Sequence, residues 1–212
     1  MKLHLGCGER FLEGYVNIDY AQGEHAVQRE RAADVLADLT TLSYEPDTID
    51  EIRMHHVFEH FPRAQACALL TNWHQWLKPS GTLRIEVPDF ERTFHYATRP
   101  FRDGRVLAVA LRHLFGSQEA EWALHFDGFT EKTLSRLLER FGFRVEEIRH
   151  NAWKATYNIE AITRKHSIMD RQQLARAAAE HLRQYLVDDS DSEQRLFAVW
   201  MEQYRQHVVP GR

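Results

Sequence analysis

The sequence predicts an α/β fold: a mostly parallel sheet of seven strands with the last strand antiparallel, followed by C-terminal helices. Three observations predict it. Short apolar runs alternate with segments of helical spacing, the pattern of a parallel sheet with helices on both faces. Two late strand-like segments, "FRVEEIRH" and "KATYNIEAITR", lie close enough to pair antiparallel through a short connection. Finally, the Gly- and Asp-bearing motifs fall at the carboxyl ends of strands, where ligands bind in such sheets.

Each element has its own local warrant. Lys2–Leu5 reads as the first strand and Tyr15–Ile18 as the second. Residues 21–33 are polar with scattered alanines and read as a poorly covered helix or a loop. Asp34–Ala37 is the third strand, ending at Asp38-Leu39, and the turn-rich "SYEPDTID" leads into a fourth, Asp50–Met54. Pro62 suits the start of a helix, in which Ala66, Leu69, Leu70, Trp73, Trp76 and Leu77 recur at helical spacing. "LKPSG" stops that helix, and "TLRIEV" is the fifth strand, ended by Pro88. Residues 90–124 form an irregular, aromatic-rich helical stretch. Thr130 then caps a helix carrying Leu134, Leu137, Leu138 and Phe141, with Gly142 at its end. The last two strands follow. From Asp170 onward the chain is helical, with one apolar face at Leu174, Ala178, Leu182 and Tyr185. A second face, at Leu196, Phe197, Trp200, Met201 and Tyr204, follows the acidic break "DDSDS". These stripes must be covered, either by folding back on the domain or by a homodimer contact.

Composition narrows the function. The 212 residues suffice for one domain over 1–168 and a helical appendage over 169–212. Hydrophobic residues at 43% and charged ones at 27% are ordinary for a soluble globular protein. A formal charge of −4 gives no electrostatic case for nucleic acid as a partner. Cys7 and Cys67 stand alone without metal-type spacing, which fits a reducing compartment. The six residues before Cys7 are too few for the charged and apolar regions of a lipoprotein signal, and no run approaches a membrane helix. A cytoplasmic protein without membrane insertion is expected.

The first functional signal is "LGCG". Glycine after a strand lets the main chain approach a ligand with no Cβ in the way. The dinucleotide pattern G-x-G-x-x-G fails, because Phe11 stands at the third glycine position. Only about ten residues separate Gly8 from Asp19, where a dinucleotide fold needs roughly 20 to reach its acid. A diphosphate is poorly served by so short a return. Asp19, ending strand two, can accept the hydroxyls of a ribose. Asp38, ending strand three, can accept from an adenine amino group while Leu39 packs on the ring. Each acid alone reads more readily as a solvated turn residue, but together they outline an adenosine site without a phosphate cradle.

These motifs carry a resemblance. "LHLGCGERFLEGYVNIDY", "ADLTTLSYEPDTIDEIRMHHVFEHF", "LKPSGTLRIEVPDF" and "HFDGFTEKTLSRLLERFGF" resemble, in order, the motifs of class I S-adenosylmethionine-dependent methyltransferases with their Rossmann-like sheet. More narrowly the chain is similar to small bacterial predicted methyltransferases, some encoded among surface-polysaccharide or secondary biosynthetic enzymes. The likeness runs over about residues 1–165. It implies that S-adenosylmethionine is the cofactor and that Leu5, Gly6, Cys7 and Gly8 line its methionine part. It also implies Asp19 at the ribose, Asp38 and Leu39 at the adenine, and the backbone of "HHVFEH", with His55, near the sulfonium. The shortened first helix leaves the methionine carboxylate without its usual partner. Arg10 is either that partner or an exposed surface arginine.

Thirteen histidines are many for this length. "HHVFEHF" puts His56 and His60 at i and i+4, but without the order of a zinc protease or a further ligand, so no metal is expected. Either Glu59 and His60 satisfy buried backbone groups, or one histidine faces the acceptor. Methyl transfer to a hydroxyl needs alignment, worth about 7–11 kcal/mol, and a base where the acceptor is not ionised. Candidate bases are His125, Asp89 and His56, each also readable as a packing, turn or capping residue. Residues 90–127 are the candidate substrate lid, although their aromatics equally suit a plain core. The leading expectation is methylation of a small-molecule acceptor, a hydroxyl on a sugar or glycan intermediate. In competition stand a catalytically silent adenosine-binding or scaffold module acting through its C-terminal helices, and a nicotinamide oxidoreductase.

Overall fold

The computed structural model describes residues 1–20, 32–101, 103–154 and 156–209. Seven strands form one sheet: β1 (Lys2–Leu5), β2 (Val16–Asp19), β3 (Val35–Leu36), β4 (Ile49–His55), β5 (Leu77–Pro88), β6 (Phe143–Trp153) and β7 (Thr156–Lys165). Their order is β3-β2-β1-β4-β5-β7-β6. Every pairing from β3 through β5 is parallel. The last strand inserts between β5 and β6, antiparallel to both. Strand order therefore reverses beside β1, and its carboxyl end at Leu5 opens onto the switch point where such sheets bind ligands.

Local chemistry accounts for most boundaries. Helix α1 (Arg63–Trp76) starts directly after Pro62, and the chain turns extended at Leu77. Strand β5 begins there, ahead of the expected "TLRIEV", because Leu77 pairs with Ile49 and is fully buried. The aromatic stretch resolves into α2 (Phe90–Ala97), α3 (Gly104–Phe115) and a 3-10 turn at Glu121–Ala123. Helix α4 (Glu131–Arg140) carries the expected cap, Thr130 Oγ1 accepting from Thr133 N, and Gly142 takes φ 81° beyond its end. The helix or loop expected over 21–33 lies almost entirely outside the described residues.

Strand residues Leu3, Leu5, Ile52, Leu83 and Ile85 share one core with Leu69, Leu70 and Trp73 of α1 and with Leu134 and Leu138 of α4. Helices α5 (Arg171–Arg183) and α6 (Asp191–His207) extend that core rather than standing apart. Leu174, Ala178 and Leu182 are fully buried, and burying each leucine is worth about 2 kcal/mol. Tyr204 Oη lies 3.0 Å from Thr71 Oγ1, and Asn72 clamps the chain end by donating to His207 O and accepting from Val209 N. Leu174, Ala178 and Leu182 of the first stripe and Tyr204 of the second thus fold back on the domain, while Tyr185 and Leu196 each stay 37% exposed. No helix among the described residues is long and apolar enough to cross a membrane.

Two buried histidines tie this layer down. His74 Nε2 donates to Ser167 O at 2.8 Å, and burial pushes its pKa down to about 4. Burial, aided by Arg140 and Arg63, brings His181 to about 4 as well. Both rings stay neutral in the folded chain, while the unfolded chain takes up these protons near pH 6.5. Stability is therefore lost as pH falls from about 6.5 towards 4, by at most about 1.4 kcal/mol per pH unit for each ring. Urea titrations at pH 7, 6, 5 and 4.5 should show this decline, with a shallower slope for His181→Leu. An unchanged slope would exclude His181 as a contributor.

Candidate active site

The site begins where β1 runs out. Gly6 and Gly8 both adopt left-handed backbone, at φ 63° and 55°. A Cβ on Gly6 would lie 2.3 Å from Val57 Cγ2, so no larger residue fits this approach. The return to β2 contains no helix, and hydrogen bonds hold it instead. Cys7 N donates to Ile18 O at 3.1 Å, Gly8 N to Asp19 Oδ2 at 3.0 Å, and Tyr20 N to Asp19 Oδ1 at 2.8 Å. Asn17, fully buried, secures the rest. Its Oδ1 accepts from Leu12 N and His4 Nδ1, and its Nδ2 donates to Leu12 O, Tyr15 O and Asp34 Oδ2. Sequence reasoning missed this residue, since a lone Asn inside a strand carries no motif.

Beside the loop lies a hollow of about 460 Å³, ample for a small-molecule ligand. Gly6, Gly8, Asp19, Asp38, Leu39 and His56 all line it, with Tyr20, Thr40, Val57 and His60. Its far wall is aromatic: Phe61, Trp122 and Phe126. Asp38 is oriented by Thr40, whose N and Oγ1 both donate to its Oδ1, at 2.8 and 2.7 Å. The acids that end β2 and follow β3, Asp19 and Asp38, thus face one space although far apart along the chain, because β2 and β3 pair in parallel.

A second hollow adjoins the first, sharing Gly6, Gly8 and His56 with it and lined further by His4, Cys7, Arg10 and His55. Arg10 Nη1 sits 3.5 Å from His55 Nε2, which also accepts from Arg53 Nε at 3.0 Å. Burial, then the two guanidiniums, push His55 down to about 3, so its ring is neutral. Cys7 is driven up to about 11 by burial and by Asp19, so its thiol is inert. Leu5, expected at the methionine part, instead has its side chain fully buried in the core and lines neither hollow.

The three candidate bases fare differently. His56, at φ 53°, lies 3.3 Å from Glu59 Oε1 and 3.4 Å from Glu86 Oε1. Burial opposes its charge, but the bonds to the two carboxylates outweigh it and raise the pKa to about 10. His56 is a cation at neutral pH and cannot take a proton there. Asp89 is 2% exposed and lines neither hollow; its Oδ1 accepts from Arg92 N as the N-cap of α2. His125 stands behind the wall, its ring edge-on to that of His60 at 4.6 Å. Burial, against the pull of Glu59, lowers it to about 4. His60 lines the hollow together with His56, and its Nδ1 donates to Leu124 O at 3.0 Å.

The donor and acceptor pattern fits an adenosyl sulfonium. Asp19 and Asp38 face the hollow, and the bare main chain of Gly6 and Gly8 lines it beside them. The whole arrangement hangs on Asn17. Asn17→Ala leaves Leu12 N and His4 Nδ1 without their acceptor, so stability should drop by about 2 kcal/mol in urea unfolding, with S-adenosylhomocysteine affinity falling too. A change under about 0.5 kcal/mol would show that the loop is held otherwise.

Comparison with known proteins agrees with this geometry. A family model described as a methyltransferase domain matches residues 5–148. Among solved structures, a SAM-dependent methyltransferase from Methanosarcina mazei aligns at 16% identity and TM-score 0.50, over 78% of this chain and 92% of its own. One from Mesorhizobium loti aligns at 17% identity and TM-score 0.52, over 77% and 89%. The Burkholderia thailandensis 1,6-didemethyltoxoflavin-N1-methyltransferase, solved with 1,6-didemethyltoxoflavin and S-adenosylhomocysteine, aligns at 14% and TM-score 0.54, over 78% and 71%. At such identities the likeness is one of fold. No curated protein matches the chain. The family match spans most of the sheet and every residue lining the first hollow: the chain belongs to the methyltransferase-domain family and is an enzyme, a class I methyltransferase whose cofactor is S-adenosylmethionine.

Proposed function

We propose that the enzyme methylates a small-molecule acceptor through a hydroxyl of a sugar or glycan intermediate, in a cytoplasmic setting. The observation that carries it is the composition of the hollow's far wall. Phe61, Trp122 and Phe126 offer flat apolar faces, and Gln65 and Glu121 stand among them as polar groups. A sugar presents the same mixture, apolar ring faces edged by hydroxyls, and such walls orient it. Two buried free cysteines, Cys7 and Cys67, support the cytoplasmic part.

Within this reading Gly6, Cys7 and Gly8 bound the methionine part of the cofactor, and Arg10 in the adjoining hollow meets its carboxylate. Asp19 accepts from the ribose hydroxyls; Asp38 and Leu39 hold the adenine; His55 adds a neutral wall. When bound, S-adenosylmethionine supplies a methyl group already activated on a sulfonium. The chain's own contribution is then mainly placement, which can be worth about 7–11 kcal/mol. His56, with both ring N–H groups engaged by Glu59 and Glu86, acts as a fixed positive charge rather than as a base. Residues 90–127 form the lid: they supply Glu121, Trp122 and Phe126, and Phe126 N donates to Glu59 O at 2.8 Å.

Two measurements test this. Calorimetry with S-adenosylhomocysteine should show Asp19→Ala weakened about 10- to 100-fold, the worth of a charge-assisted bond to a ribose hydroxyl. A screen for S-adenosylhomocysteine release should then find turnover with nucleotide sugars or glycans. Turnover confined to nitrogen heterocycles or carboxylic acids would refute the acceptor class while leaving the enzyme class intact.

A further inference from the structure

Three donor groups meet at the wall of the hollow, His60 lining it and Glu59 and His125 standing behind. Glu59, His60 and His125 each offer one ligand atom, all within 4.8 Å of one another. Each is held by a separate constraint. Glu59 is 1% exposed; His56 Nδ1 engages its Oε1, while its Oε2 is buried with no partner among the described residues. His60 donates through Nδ1 to Leu124 O, which leaves Nε2 with its lone pair. The His125 side chain is 10% exposed, with Nε2 3.9 Å from Glu59 Oε1 and a buried, unpartnered Nδ1. The Phe126 N to Glu59 O bond clamps the two segments together.

We propose that Glu59, His60 and His125 bind a divalent transition-metal ion of the Zn²⁺ type, with its remaining coordination positions directed to the hollow. Two imidazoles and one carboxylate are the donors such ions take, whereas Mg²⁺ and Ca²⁺ ask for oxygen alone. Three protein ligands with an open position are the arrangement of a reactive rather than a structural site. The carbonyl of Leu124 fixes the His60 tautomer as outer-sphere partners of ligating histidines do. In a tetrahedron with bonds of about 2.1 Å the donors lie about 3.4 Å apart, so a shift of roughly an ångström closes the set. A purely hydrogen-bonded cluster explains the site less well, because it strands Glu59 Oε2 in the interior. The i, i+4 spacing of His56 and His60 pointed elsewhere: His56 is taken by two carboxylates, and the third ligand comes from a segment far along the chain. On the methylation reading above, an acceptor oxygen would occupy an open position; metal binding itself does not depend on that reading.

The test uses the full chain, stripped with chelator and titrated with Co²⁺ by visible absorption, then with Zn²⁺ in competition. One equivalent should bind, and His60→Ala and His125→Ala should each lose about 100-fold or more in affinity, beyond the usual cost of disturbing an outer-sphere partner. The exposed His166→Ala should bind as the parent does. Circular dichroism and S-adenosylhomocysteine binding on the same samples show that each variant is folded and read the cofactor site separately. Should His125→Ala fail to fold, His60→Ala carries the test. Absence of saturable binding at millimolar Co²⁺, or full affinity in either folded variant, overturns the proposal; S-adenosylhomocysteine binding that persists in that event leaves the enzyme class standing.

Discussion

The site depends on one backbone constraint: the chain must leave β1 and re-enter the sheet as β2 without a helix between them. Left-handed backbone at Gly6 and Gly8 makes the turn, and Val57 pressed against Gly6 forbids any side chain there. A crossover helix would have organised such a return through its own ladder. Here Asp19 and Asn17 do so, the first gathering Gly8 N and Tyr20 N, the second pinning Leu12 from both sides. Asp19 is thereby both a strut of the loop and a face of the hollow. A carboxylate held by two backbone donors keeps its remaining lone pairs aimed in a set direction, and rigidity of this kind precedes binding rather than following it.

Charge on the acceptor side is set by pairing, not by residue type. His55 and His56 are neighbours in sequence, yet alternation at the end of β4 sends them to different surroundings. Burial, helped by two guanidiniums, keeps the first neutral; two carboxylates, against burial, keep the second protonated. Glu59 remains ionised although wholly buried, because burial, which favours its neutral form, is outweighed by His56. Removing one member of such a pair strands the other, so His56, Glu59 and Glu86 behave as one unit. The short turn at Phe58–His60 then carries this unit's carboxylate beside His60 and His125.

The C-terminal helices matter to the site through α1. They bury Leu174, Leu182 and Tyr204 against it, and α1 in turn follows the turn that carries Glu59 and His60. Arg63, at the start of α1, stacks on Tyr185 at 4.0 Å and pairs with Asp127 at 3.3 Å, joining α1, the end of α5 and the aromatic segment. The far layer thus stiffens the wall of the hollow without touching it.

How much of this was legible depends on how local each cause is. Thr130 as a cap, Gly142 beyond its helix, the strand ending at Asp19 and the failed third glycine at Phe11 follow from short-range spacing and φ demand, and they read correctly. Asp89 shows the limit: an Asp between a strand and a helix suits a base and an N-cap equally, and only Arg92 N decides. The sequence by itself determined the order of strands and helices, the place of the glycine turn and the family, because periodicity and turn chemistry act over a few residues. The tertiary structure alone decided which histidine is charged, which of them line the hollow, what gathers around Glu59 and where α6 packs. Those outcomes depend on burial and on partners such as Glu86, Leu124 and Thr71, brought close only when the sheet and its helices pack.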